Sequence, residues 1–590
     1  MTGYQQVFDP VAGSLGWSAL CAALPLVTLF VLLGGLRWKA WQASLVALAA
    51  ALGVAVFAYE MPVGQAALAA GEGAAFGLFP IIWIVLNALW IYKLTELTGW
   101  DAVLRRAFGS LSDDQRVQAV IIAFCFGALL EALAGFGTPV AVSSVMLMAV
   151  GLRPMKAAAV SLVANTAPVA FGAIAVPITT LAKITGLDAA DLGAMVGRQT
   201  PLLALFVPLV LVFMVDGRRG VRQTWPVALA GGFGFAAAQF VSANFLSYEI
   251  ADIVAAFAGA LAVVLMLRVW QPKETLAARA GTPAAAGGGS AGTGDATDSG
   301  SGESGSADAG AAKAGSTDAD AGAANAGSTG VNSTAADRRR RTGEGSALMA
   351  FAPYLAVVVL FAVATFGPVK TWLDAHSGWK FAWPGLDVTD GSGKPLASAT
   401  FTFNLLNAGG TILLLAGLIT AALYGIGVMR GVRAYGDTVR QFRWTVVTVM
   451  AVLALAYVMN MSGQTVTLGL FLAQTGAAFA LLSPIVGWLG VAVTGSDTSS
   501  NSLFGLLQLT AAEKTGMSPY LLAAANTTGG VLGKMISPQS LAIAAAVVGL
   551  EGREGELFRR VVGWGLGLLA AICLLIYLQS TPVLDWMVVR

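Results

Sequence analysis

The sequence predicts an all-α polytopic membrane protein of roughly 12–14 transmembrane helices, built from two inverted repeats that contain broken or re-entrant helices. Three observations lead there: a composition foreign to soluble domains, a succession of apolar segments of membrane length, and a polar, glycine-rich pattern that occurs twice.

Of the 590 residues, 57% are hydrophobic and 11% charged, with a mean hydropathy of +0.75. Soluble domains carry about a quarter charged residues. The net charge of +2 makes no field that would gather nucleic acid, and no basic stripe with interleaved aromatics occurs. Cys21, Cys125 and Cys573 lie singly in apolar runs, and the lone histidine, His376, sits in a polar stretch. Neither metal-ligand spacing nor a Ser-His-Asp set is present, so no metal, cofactor or enzymatic centre is expected.

Apolar segments run near 14–35, 40–59, 74–95, 117–134, 139–151, 156–180, 200–216, 225–246 and 250–269, then 347–367, 401–427, 443–460, 479–495, 498–511, 519–548 and 561–579. A span needs about 20 apolar residues, so the shorter ones read as re-entrant pieces. Residues 1–13 lack Lys and Arg, so the first segment is not read as a signal peptide. Between 273 and 346 the chain is Ala, Gly, Ser, Thr and Asp with few large side chains. Such a stretch buries too little to offset ordering entropy. It is read as a disordered cytoplasmic linker between membrane halves 1–272 and 347–590.

Basic residues set the orientation. Arg37 and Lys39, Arg105 to Arg116, Arg218 to Arg222, Arg338 to Arg341, Arg430 to Arg443 and Arg553 to Arg560 are all placed in the cytoplasm. Loops near Glu60 to Glu72, Tyr248 to Asp252 and Gly367 to Ala399, with both termini, then face the periplasm.

The halves share a pattern. "ANTAPVAFGAIAVP" at 164–177 aligns without a gap to "ANTTGGVLGKMISP" at 525–538, pairing Asn165 with Asn526 and Pro177 with Pro538. About thirty residues earlier stand "GFGTP" at 135–139 and "GSDTSSNS" at 495–502. With the loop charges, the two Asn-Thr helices run in opposite directions, as in inverted repeats whose broken helices hold substrate near the bilayer midplane.

Charges inside spans are few: Glu131, Asp497 and Lys534, aligned with Ala492, Phe136 and Ala173 in the other half. Each costs about 2.5–3.5 kcal/mol at a helix centre, so each is paired or functional. Asp497 is the candidate charge partner of Lys534; otherwise Lys534 is a site for a carboxylate. Glu131 has no basic neighbour in sequence. A carboxyl there is cheaper to bury neutral than charged, which suits a group that takes up and releases a proton. "TGGVLGKM" is not a phosphate loop, since Thr528 and Met535 stand where Gly and Ser or Thr belong. For substrate, Gly135, Gly137 and Thr138 form one half-helix N-terminus, and Gly495 with Thr498 and Ser499 the other. Asn165, Asn526 and Gln464, the last in "MNMSGQT", offer amides to a hydroxyl. The set suits a small polar anion, a carboxylate on N–H groups or Lys534 and a hydroxyl on amides, with too little charge for a tricarboxylate.

"DQRVQAVIIAFCFGALLEALAGFGTPVAV", "NTAPVAFGAIAVPI", "MVGRQTP" and "VDGRRGVRQTWP", then "NMSGQT", "GSDTSSNSLFG" and "GGVLGKMISPQS", resemble the bacterial lactate permease family, glycolate permeases included. The likeness runs along almost the whole chain; the long linker is the chief departure. The resemblance implies proton symport of L-lactate, D-lactate and glycolate across the inner membrane, on a scaffold of inverted repeats with re-entrant hairpins. Two other readings use the same frame: a sodium-coupled carboxylate transporter with Asp497, Ser496 and Thr498 around the ion, and a membrane subunit of a proton-translocating complex.

Overall fold

A computed structural model describes residues 3–36, 38–135, 137–276, 347–396 and 399–590. Arg37, Phe136, Arg338 to Arg341 and all of the expected linker beyond residue 276 lie outside the described residues. The described residues form one compact unit.

Among the described residues nine helices are long and apolar enough to cross a membrane, and two bent helix pairs raise the number to 11. The stretch Ala189–Leu246 is 58 residues long, far more than one crossing uses. Its backbone leaves helical geometry at Asp216 and Gly217. A Cβ placed on Gly232 would stand 2.4 Å from the carbonyl oxygen of Leu205, so the two arms fold back against each other. That stretch is therefore a hairpin of two arms rather than one long helix. Phe57, Phe245, Leu246 and Val269 are exposed; on a polytopic protein such side chains face lipid, where only helices and closed barrels satisfy their own backbone.

Two parts of the sequence reading are corrected. Glu72, expected in an outward loop, lies in a helix from Val63 to Phe76 that continues through a break at Phe79 to Thr98. It is buried, because the Ala- and Gly-rich stretch before it packs on the helix Val428–Ser462. Gly73 there sits against the backbone of Leu453 and Ala454. Asp252, also assigned to a loop, begins the helix Ala251–Val269 and is buried. Two small ladders complete the fold: Tyr4–Gln5 pairs in parallel with Val388–Thr389, and Gly378–Ala382 pairs antiparallel with Thr400–Asn404.

Two contacts join basic segments that the loop charges assign to the cytoplasmic face. Arg116, buried at the base of the first hairpin, donates to Asp114, Asp216 and Gln223 and to the carbonyl of Glu274. It ties together four segments assigned to one side. Trp41 stacks on Trp444 at 4.7 Å beside Lys39 and Arg443. On the other face Tyr4 donates to the carbonyls of Tyr59 and Ser462, and Gln65 bonds to residues 385 and 387.

The repeats are visible as geometry. The first is a hairpin of Gln115–Ala134 and Thr138–Ala149, followed by Pro154–Ala164, a break, and a helix ending at Thr185. The second is Phe479–Thr494 and Asp497–Thr515, then Pro519–Gly533, a break at Lys534–Ser537, and Pro538–Val547. The bends are 62° and 40°. The second break falls just before Pro538, whereas the first, between Ala164 and Val169, is followed by a second departure from helical geometry at 173–175, just before Pro177. There Ala173, Ile174 and Ala175 all have positive φ, a conformation costing about 1–2 kcal/mol per residue. Such strain persists where the surroundings over-determine it, commonly at functional sites. The second arm of each hairpin packs on the post-break helix of the opposite repeat.

Candidate functional site

Between the two hairpin tips lies a cavity of about 1100 Å³. Its walls include Glu131, Gly135, Gly137, Gly172, Asp497 and Lys534, and it extends toward Trp38, Trp41, Trp444 and Glu554 on the basic face.

Three helices begin at this cavity. Thr138–Ala149 starts from Gly137, whose φ of 87° only glycine takes without strain. Asp497–Thr515 is capped by the Ser496 hydroxyl accepting from the Ser499 N–H, and Pro538–Val547 by the Ser537 hydroxyl accepting from the Ser540 N–H. Their first residues, Gly137, Thr498, Ser499, Gln539 and Ser540, line the wall. Helix N-termini carry unsatisfied N–H groups and a partial positive charge, so the electrostatics favour an anion. From the cavity the second arm of the first hairpin runs to the basic face, where the Val150 carbonyl accepts from Gln115 at 2.9 Å. The second arm of the other hairpin runs to the opposite face. The repeats are therefore inverted about the cavity.

At its centre Lys534 forms an ion pair with Glu131. Both are buried, at 8% and 2% exposure. Lys534 stands where Pro519–Gly533 ends, and a helix C-terminus favours a cation. The carboxyl of Glu131 rests on two glycines: a Cβ at Gly172 would stand 2.9 Å from Oε1, and one at Gly135 3.1 Å. Among the described residues Oε2 of Glu131 has no hydrogen-bond partner.

This pairing corrects the expected one. Asp497, assigned as the charge partner of Lys534, makes no ion pair among the described residues, and both its carboxyl oxygens lack hydrogen bonds although it is buried. Glu131, unpaired in sequence, takes the lysine instead, because the fold brings the first hairpin against the break of the second repeat.

Of the residues assigned to substrate, the cavity brings together Gly135, Gly137, Thr498 and Lys534. Thr138 opens its helix but is not in the wall. Gln464 donates to the Ala51 carbonyl and the Ser462 hydroxyl, away from the cavity. Asn526 is held in a buried amide network, donating to Asn501 and accepting from Gln508; it secures the helices. Asn165 is buried and also outside the wall, and among the described residues neither end of its amide has a partner. Ser540 and Gln539 were missed. Their signal was present in "SPQS", where Ser followed by Pro marks a helix start. Asp252 was missed too: it accepts from Gln239 at 2.9 Å, and Gln239 also reaches the carbonyl of Ala167 in the first break at 3.5 Å.

Comparison with known proteins matches the chain to the L-lactate permease family model over residues 18–294 and 326–583. The glycolate permease GlcA of Escherichia coli K12 is 39% identical over 592 residues, covering 98% of each chain. The L-lactate permease of Bacillus subtilis 168 is 37% identical over 604 residues, covering 99% of this chain and all of the relative. The crystal structure of the YdaH transporter of Alcanivorax borkumensis aligns over 86% of each chain with a TM-score of 0.38 and 15% identity. With its apolar crossings, inverted repeats and full-length match, the chain belongs to the L-lactate permease family of membrane transporters.

Proposed function

We propose that this protein is a secondary transporter of the bacterial inner membrane. It carries a small 2-hydroxy monocarboxylate, L-lactate with D-lactate and glycolate, inward together with a proton. The names of its relatives support the cargo. The observation that carries the mechanism is the buried Glu131–Lys534 pair in the wall of a cavity ringed by helix N-termini.

The pair makes coupling a matter of charge. In the empty site Glu131 neutralises Lys534. A proton on Glu131 frees the ammonium, and the substrate carboxylate takes the vacated place. Asp497, without a partner, is counted as the neutral acid, since a lone buried carboxylate is costly. Both the empty and the fully loaded site are then neutral. A site with the anion but no proton, or the proton but no anion, carries one net charge. On insertion scales that costs about 2.5–3.5 kcal/mol, or a factor of roughly 100 in population. Only the neutral forms exchange between faces readily, so neither partner crosses alone. Thr498, Ser499 and Ser540 stand in the wall to receive the 2-hydroxyl, and Ile543, Val169 and Val176 to face the methyl group. The cavity reaches toward the basic face, which the positive-inside rule places in the cytoplasm.

Labelled L-lactate uptake by purified protein in liposomes tests the reading, with a pH gradient, a sodium gradient, or neither. A pH gradient alone is expected to drive accumulation, with D-lactate and glycolate competing and succinate not. Accumulation that follows sodium and ignores pH would replace proton coupling with the sodium reading around Asp497.

A further inference from the structure

A second cavity, of about 940 Å³, is lined by Lys183, Lys380, Asn460, Thr402, Lys514 and neighbouring side chains. It lies at the far ends of two helices that also line the first cavity. Gly172, Val176 and Pro177 border the central cavity, and Lys183 and Thr185, at the end of the same helix, border the second. Thr498 and Ser499 border the central cavity, and Leu506, Thr510 and Lys514, further along their helix, the second. From Ser499 to Leu506 the rise is about 10 Å. That stretch is sealed by contact between the two helices. Asn501 donates to the Pro177 carbonyl at 3.0 Å, and Gly505 lies so close to Leu181 that a Cβ there would meet its side chain at 2.8 Å.

The chemistry of this second cavity is that of an anion site. Lys183 is half-buried and donates to the Thr400 carbonyl at 3.2 Å and the Thr402 hydroxyl at 3.4 Å. An ammonium has three donors, so one remains for a ligand. Glu72 is within electrostatic reach of Lys183 but does not pair with it. Lys380 and Lys514 are exposed on the wall. Among the described residues none of the three lysines is in an ion pair. Of the two acids in the wall, Asp390 is occupied by its own turn, accepting from Ser392 and Lys394, and Glu513 is exposed. Independently, Asn460 in the motif "NMSGQT" is 4% exposed, lines this cavity, and has an amide oxygen with no partner among the described residues. An amide oxygen accepts from a hydroxyl and an ammonium suits a carboxylate, and Asn460 and Lys183 share this wall.

We propose that this cavity is a second binding site for the transported 2-hydroxy monocarboxylate, on the face away from the cytoplasm. Lys183 holds the carboxylate, Asn460 the hydroxyl, and Lys380 and Lys514 draw the anion in. The substrate passes to the central site when the seam at Asn501–Pro177 and Gly505–Leu181 parts. The proposal rests on the transport reading given above.

The test is initial uptake of labelled L-lactate by intact cells that lack other carriers, with membrane abundance of each variant measured alongside. Lys183→Gln is expected to raise KM about ten-fold with Vmax held within about two-fold, and Lys183→Arg to restore it. The exposed double variant Lys380→Gln, Lys514→Gln is expected to raise KM about three-fold at low ionic strength, a difference that added choline chloride removes. Wild-type KM in Lys183→Gln and in the double variant would overturn the proposal, as would a fall in Vmax alone. If Lys183→Gln does not reach the membrane, the double variant decides. A wild-type protein that carries no monocarboxylate would instead overturn the transport reading, which these variants do not address.

Discussion

Lys534 and Glu131 stand 403 positions apart in the chain and share one problem: each charge is costly in the membrane without a counter-charge. Removing one partner of a buried pair costs about 3–5 kcal/mol, because the remaining charge is uncompensated. Lys534→Met is therefore expected to abolish lactate binding and to lower the melting temperature in detergent; binding at wild-type affinity by calorimetry would exclude Lys534 as the carboxylate site. Gly172 sets the carboxyl's position. Its backbone is ordinary, so Gly172→Ala acts through the methyl that would press on Glu131. Overpacking of this kind costs about 1–3 kcal/mol. Uptake is expected to fall at least several-fold while the variant still folds, and an unaffected rate would show that the carboxyl has room to move. The sequence disclosed which side chains were costly to bury, and so named Glu131, Asp497 and Lys534. It did not disclose who pairs with whom, since that depends on two breaks meeting in space. Nor did it separate binding amides from structural ones. Asn526 and Gln464 look like ligands until Asn501, Gln508 and the Ala51 carbonyl are seen to occupy them.

At the level of helices, small residues decide how closely the second repeat packs. Gly529 faces the Pro484 carbonyl and Gly487 the Asn526 carbonyl so closely that added Cβ atoms would stand at 2.0 and 1.9 Å. Helix association in lipid relies on such close approach. Gly529→Ala is expected to lower thermal stability by about 1–3 kcal/mol and to widen the gap between Phe479–Thr494 and Pro519–Gly533; an unchanged melting temperature would show that the pair has slack. The base of the first hairpin depends on Arg116. Burial alone would raise the pKa of Asp114, but hydrogen bonds from the Arg116 side chain and backbone outweigh it and hold it below the usual carboxylate range. A depressed folded value contributes stability above the unfolded pKa of about 4 and loses it as pH falls through the folded one. The wild type is thus expected to melt earlier as pH drops from about 5 to 3. Arg116→Ala should start lower and show a flatter dependence, and parallel curves would remove Asp114 from the account. The hairpins and broken helices were legible because glycine, proline and hydroxyl residues mark breaks directly. The helix holding Glu72 was not, because its glycines and its one acid interrupt the apolar run. Its burial comes from Leu453 and Ala454, far along the chain.

For the whole molecule, the inverted repeats place one cavity between two hairpin tips and give it a route to the basic face. The apolar crossings and the repeat were evident from hydropathy and a gap-free match, and the direction of each hairpin arm follows from which face its end meets. The closed seam and the second cavity were not evident, since they arise where helices of opposite repeats touch. The central claim is that proton and anion cross together because the Glu131–Lys534 pair keeps the site neutral. Glu131→Gln gives a site fixed in its protonated-like form, neutral only when an anion is bound. The decisive measurement compares that variant with wild type in liposomes, for lactate counterflow and for net uptake driven by a pH gradient. The account predicts that counterflow persists, since loaded sites still exchange, while pH-driven net uptake is lost. Net uptake at the wild-type rate would contradict it.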